Sequence, residues 1–125
     1  MQNLFERIGG SATFDQLTAE FYRGVANDPL LKPMYPEEDL GPAQRRLNMF
    51  LQQYWGGPDT YQQERGHPRL RMRHAPYKVG PRAKAAWLKH MRNAVDSLEL
   101  SPADEGELWD YLERAATAML NTFED

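Results

Sequence analysis

The chain contains no cysteine, which removes disulfides, thiolate metal sites and a cysteine nucleophile from consideration. It has no apolar run approaching the roughly 20 residues that a membrane-spanning helix needs. No apolar signal segment follows its first charges, so a soluble, cytoplasmic protein with no membrane segment is expected. Basic residues are not in excess, with 15 Lys and Arg against 18 Asp and Glu and a formal net charge of −3. That disfavours nucleic acid as a general partner. Internal repeats, low-complexity tracts and linkers are missing, and so are the alternations of a β-strand. What remains is 125 residues, 41% of them hydrophobic. One domain over residues 1–125, with a buried core, is the expectation.

Helical spacing recurs along the whole chain, so the fold class is all-α, in about six helical pieces. Leu4, Phe5 and Ile8 make a short amphipathic piece over Met1 to Ile8, stopped by Gly9 and Gly10. Thr13 followed by Gln16 reads as a capping box. The helix it would open carries Phe14, Leu17, Phe21 and Val25 as its apolar stripe, with Tyr22 at the edge. Asn27-Asp28-Pro29 ends it. Leu30 to Met34 adds a turn that Tyr35-Pro36 breaks. Glu37 to Asp39 is an exposed acidic corner. Gly41-Pro42 starts a helix whose buried face is Ala43, Leu47, Phe50, Leu51 and Tyr54, and Gly56-Gly57-Pro58 stops it. Residues 58–67 read as a loop, and Pro68 as the start of a short helix. Pro81 opens a helix with Ala83, Trp87, Met91, Ala94, Val95 and Leu98 inward. Ser101-Pro102 caps the last helix, with Leu108, Tyr111, Leu112, Ala115 and Met119 inward.

The segment from Trp55 to Tyr77 holds two of the three histidines, His67 and His74, and arginines at 65, 69, 71 and 73. His74 shares a helical face with Leu70, four residues before it. Position alone suits a satisfied core histidine better than a metal ligand. A protein-only metal site needs three or four ligands, and none complete a set here. Haem changes that requirement, because the porphyrin supplies four ligands and the protein one. The arginines read as a solvated face or as carboxylate-binding forks. Haem propionates are one such target, and Arg46, Tyr61 and His67 could reach the same rim. Tyr22, Tyr35 and Trp87 are polar aromatics on inward faces. Such residues usually fill a core, but their buried O–H and N–H groups need partners.

The chain resembles the group II truncated haemoglobins, most closely the actinobacterial type, over nearly its whole length. The resemblance is carried by Phe21-Tyr22, Tyr35-Pro36-Glu37, Arg46-Leu47, Met49-Phe50-Leu51, Gln53 to Pro58, Arg65 to Pro76 and Ala86-Trp87-Leu88. The resemblance implies a two-over-two helical sandwich holding haem b. His74 falls on the proximal iron ligand, Tyr22 and Tyr35 on distal tyrosine positions, and Trp87 on the tryptophan that marks the group. Ala43 falls where many globins carry a distal histidine, so Tyr22, Tyr35 and Trp87 would form the distal cage. Leu47 and Phe50 fall on distal-wall positions and Leu70 lies beside the ligand histidine. Arg46, Tyr61, His67 and Arg73 fall on or near propionate contacts. Departures concentrate near both termini and between Val79 and Lys84.

The implied function is binding of O2, and of CO, NO or sulfide, at a five-coordinate ferrous iron, with oxygen transport as the associated role. The alternative is a redox enzyme, a peroxidase or nitric oxide dioxygenase. That role needs an external electron donor, because no flavin- or nicotinamide-binding motif is present. A homodimer is a further expectation. A haem-free rival, an all-α interaction module with an acidic or nucleic-acid partner, explains the arginines but not the Tyr22, Tyr35 and Trp87 set.

Overall fold

Apolar stripes at helical spacing must each find a partner, and here they do so as two pairs of helices, one laid over the other. The computed structural model describes residues 2–122. In chain order the elements are α1 (Leu4–Arg7), α2 (Ser11–Ala26), a 3-10 turn (Lys32–Met34), α3 (Gly41–Tyr54), α4 (Thr60–Arg65), α5 (Leu70–His74), α6 (Pro81–Ser97) and α7 (Pro102–Ala118). The expected domain and first helical piece extend over residues 1 and 123–125, which lie outside the described residues. No strand occurs among the described residues. Helix α2 packs on α6 and on α3, and α6 packs on α7. This is the two-over-two sandwich.

Helix α2 carries the stripe that its spacing predicts: Phe14, Leu17, Phe21 and Val25 are fully buried. Its start differs from the expected capping box. The helix begins at Ser11, after Gly9 and Gly10 with φ of 114° and 69°. Thr13 lies inside it, and its hydroxyl donates back to Ile8 O at 2.5 Å. Gln16 reaches across to Ser97 O instead of back to a cap. The left-handed glycine pair, rather than a side-chain cap, turns the chain into the helix.

Helix α3 buries Ala43, Phe50 and Leu51 as expected, together with Met49, while Leu47 is half-buried. Tyr54 does not join them. It is 48% exposed and stacks on Tyr111 with ring centroids 3.9 Å apart. Trp55 stands edge-on to both rings, at 84° to each. Its buried Nε1–H meets no oxygen or nitrogen acceptor among the described residues, and this edge-on arrangement suits an N–H directed at a π face.

The stretch 58–67 is not a plain loop. Residues Thr60–Arg65 form α4 around one buried side chain, Tyr61. Gln53 Oε1 accepts from Gln62 N, and Arg45 forks onto Glu64 at 2.6 and 2.7 Å. Helix α5 begins at Leu70, not at Pro68. Arg69 precedes it in the left-handed region, at φ 46° and ψ 49°. Helices α6 and α7 start where Pro81 and Ser101-Pro102 place them, and Ser101 Oγ accepts from Asp104 N.

One contact fixes how closely α2 and α6 approach. A Cβ on Gly24 would lie 2.4 Å from His90 Nδ1. His90 cannot swing aside freely, because its Nε2 is tied to Asp28 Oδ2 at 2.6 Å. Asp28 also accepts from Leu30 N and Leu31 N, which joins α6 to the turn leading to Tyr35.

Candidate functional site

A cavity of about 440 Å³ lies between the helix pairs, and its walls come from α2 to α7 and the 3-10 turn. That volume is within the range of small-molecule and cofactor pockets. Tyr22, Tyr35, Arg46, Leu47, Phe50, Tyr61, Leu70, Arg73, His74 and Trp87 all line it. His67 does not: it stands exposed on the short stretch after α4.

The polar aromatics form a contiguous set. Phe21 meets Tyr22 edge-on at 4.9 Å and Trp87 at 5.3 Å. Tyr22 in turn meets Tyr35 at 5.6 Å and 74°. Helix α2 supplies Tyr22, the end of the 3-10 turn supplies Tyr35, and α6 supplies Trp87. Burial pushes the Tyr22 hydroxyl well above its ordinary pKa, and the neighbouring Tyr35 raises it further. Burial also raises Tyr35, against the lowering effects of its hydrogen bond with Tyr22 and of the Arg46 charge. The two hydroxyls share a hydrogen bond, and either phenol can serve as its donor.

On α5, His74 Nδ1 is 2.7 Å from Leu70 O. A carbonyl oxygen only accepts, so Nδ1 carries the proton and Nε2 keeps its lone pair. The i to i+4 relation that put Leu70 and His74 on one face also supplies this carbonyl. The carbonyl that orients the imidazole was not legible in the sequence.

The arginines divide. Arg46 pairs with Glu37 at 3.2 Å while lining the cavity. Arg73 turns inward on the chain, donating from Nε to Pro68 O at 2.7 Å and from Nη2 to Arg65 O at 3.0 Å. Its guanidinium thus holds the turn that contains the left-handed Arg69. Arg69 and Arg71 are exposed.

Several lining residues were not singled out for the site: Met34, Arg65, Tyr77 and Lys84, and Tyr111, Ala115 and Met119 of α7. The last three recur every four residues and had been read as an inward stripe. That spacing was their signal, but it marks a core wall and a cavity wall alike. Burial raises the Tyr111 pKa to about 12, with the Tyr54 ring beside it adding to the effect.

These residues were tested for fit to a metal-bearing group. Among the described residues no cluster of three or more His, Asp and Glu is placed to hold a metal ion. A lone imidazole with a free Nε2 in an apolar cavity suits a metal that brings its other ligands with it. The largely aliphatic and aromatic lining suits a flat apolar ring, and the cations at Arg46 and Lys84 suit its acidic edge.

The family model for bacterial-like globins matches residues 3–121. A hemoglobin of the actinobacterium Thermobifida fusca, described as thermostable, is 58% identical over 98% of this chain and 100% of that one, with a TM-score of 0.96. The group 2 truncated hemoglobin YjbI of Bacillus subtilis is 41% identical, over 96% of this chain and 89% of that protein. A structure titled as a truncated oxygen-avid haemoglobin from Bacillus subtilis is 40% identical over 96% of this chain and 100% of that one, with a TM-score of 0.89. With a globin's helices around a cavity that holds one imidazole, the chain belongs to the bacterial-like globin family, as a truncated haemoglobin and hence a haem globin that binds oxygen.

Proposed function

We propose that the chain is a one-domain haem b globin whose ferrous iron is five-coordinate through His74. Its ligands are O2 and other small molecules such as CO, NO and sulfide, held by a cage of Tyr22, Tyr35 and Trp87. The observation that carries this reading is a single cavity lined by both an imidazole with its Nε2 free and three hydroxyl or indole donors. Haem, when bound, supplies a ferrous centre that takes up such a ligand.

The chain's own residues do the rest. Leu70 O holds the His74 Nδ1 proton, which fixes the tautomer and the ring's orientation and makes Nε2 the better donor. The raised pKa values keep Tyr22 and Tyr35 protonated at neutral pH, so both remain donors. Tyr22 and Tyr35 share one hydrogen bond, which leaves one O–H of the pair available to a ligand. Trp87 Nε1–H can only donate. The apolar walls keep water out, which strengthens each of these bonds.

The direct test is the absorption spectrum of the purified protein on addition of haem, then dithionite, then carbon monoxide. A Soret band that shifts at each step is the expected result, and the absence of any band overturns the reading.

A second reading keeps the same site but makes it an enzyme, a peroxidase or nitric oxide dioxygenase served by an external electron-donor protein. The three convergent donors favour it over delivery, because they slow release and leave a ligand to react in place. Sustained turnover of peroxide, or of nitric oxide with a reductase, selects this reading. Stoichiometric binding alone removes it.

A further inference from the structure

The proximal helix α5 is only five residues long, too short to hold its own position. Both of its ends are tied to backbone or side chains beyond the helix. Arg73 ties the entry, as described above. The exit is tied by a residue 47 positions later in the chain, Asn121, just beyond the end of α7. Its Nδ2 donates to His74 O at 3.2 Å and to Tyr77 O at 2.8 Å. Its Oδ1 accepts from Val79 N at 2.8 Å, and its backbone N–H donates to Val79 O at 3.0 Å. Thr122 N adds a second bond to Val79 O at 3.1 Å.

The orientation of this amide is determined by its surroundings. Two carbonyls face one end and an N–H faces the other, so Nδ2 and Oδ1 cannot be exchanged. No other residue type of this size offers two donors and an acceptor from one planar group. Isosteric aspartate would keep the acceptor for Val79 N, but would set carboxylate oxygen against the carbonyls of His74 and Tyr77.

We propose that Asn121 is a positioning residue for the proximal imidazole, a strap from the end of α7 that holds the backbone of His74 itself. His74 is then fixed at two points. Leu70 O sets the ring's rotation, and Asn121 sets the height of the helix end that carries it. This inference rests on His74 being the haem ligand.

The test compares parent, Asn121→Asp, Asn121→Ala and, as a control within α7, Thr117→Ala, whose hydroxyl donates to Glu113 O of the same helix, in the haem-loaded state. Resonance Raman reads the iron–histidine stretch of the ferrous protein, and transfer of haem to an acceptor globin reads its loss rate. Loss of a hydrogen-bond partner that orients a metal ligand typically costs about tenfold to a hundredfold in metal affinity or activity. The two Asn121 variants should therefore lose haem at least about tenfold faster and show a shifted or broadened stretch, while Thr117→Ala matches the parent. A parent-like stretch and loss rate in Asn121→Asp overturns the strap. Amide exchange at Tyr77 and Val79 needs no haem. If the parent takes up no haem, the functional reading fails, and the strap stands or falls on whether Asn121→Asp speeds exchange at those two amides.

Discussion

The two walls of the cavity are built by different physics. The distal wall belongs to long helices. Phe21 is fully buried on α2 and stands edge-on to both Tyr22 and Trp87, so the donors are set by the packing of a core around them. The proximal wall belongs to a five-residue helix with no buried residue of its own. It is held by hydrogen bonds from Arg73, Asn121 and the left-handed turn at Arg69. Packing fixes position through many small contacts and tolerates the loss of one. A hydrogen-bonded strap fixes position through few contacts, each specific in direction, and tolerates loss poorly.

Removing the ligand histidine is the largest way to break this comparison. His74→Ala should abolish the imidazole-ligated ferrous spectrum while leaving the distal wall folded. Circular dichroism and the dithionite-reduced absorption spectrum check both halves of that statement. A persisting imidazole spectrum would mean that another residue holds the iron.

The next effect lies on the distal wall. Trp87→Phe and Tyr35→Phe each remove one donor. Hydrogen bonds to charged groups contribute about 1.5–3 kcal/mol. The O2 dissociation rate should therefore rise by roughly tenfold to over a hundredfold, as measured by stopped-flow displacement with carbon monoxide. An unchanged rate in either variant removes that residue from the cage.

Tyr22→Phe sharpens the order within the proposed cage, where Tyr22 and Tyr35 share a hydrogen bond and Tyr35 is expected to face the ligand. An indirect contribution of about 1 kcal/mol corresponds to roughly a fivefold faster release. A rise as large as that of Tyr35→Phe would place Tyr22 in direct contact.

The smallest effect concerns the link between the walls' supports. The hydrogen bond from His90 holds the Asp28 carboxyl below the usual carboxylate range, helped by Leu30 N and Leu31 N. A depressed carboxylate adds stability that is present above its unfolded pKa of about 4. That stability is lost as pH falls through the lower folded value. In urea titrations the parent should weaken on acidification below about pH 4 more steeply than Asp28→Asn, which has no such proton to take up.

What was legible in the sequence follows the same division. The distal wall could be read because its residues repeat at the helix period: Phe14, Leu17, Phe21 and Val25 marked α2, and Trp87, Met91 and Val95 marked α6. The proximal wall offered little periodicity. Helix α4 was missed because Tyr61 is its one buried side chain, so six residues leave no stripe. The start of α5 was misplaced because Arg69 adopts a left-handed conformation that no local rule assigns to arginine. Asn121 was invisible, since a bond spanning 47 residues leaves no local trace. The resemblance to truncated haemoglobins supplied the role of His74, which spacing alone had left open between core residue and ligand. Tyr54 was misassigned for a different reason: it sits on the correct stripe, but at the end of α3 the stripe runs out of protein and ring stacking on Tyr111 replaces burial.

Gly24 gives the cage its gauge. It lies two residues from Tyr22, and His90, which it faces, lies three from Trp87. The closeness of α2 and α6 at this point therefore governs the gap across which the phenol and the indole confront a guest molecule. A side chain at this glycine would meet His90 and force the two helices apart, so a position outside the cavity lining bears on the spacing of residues within it.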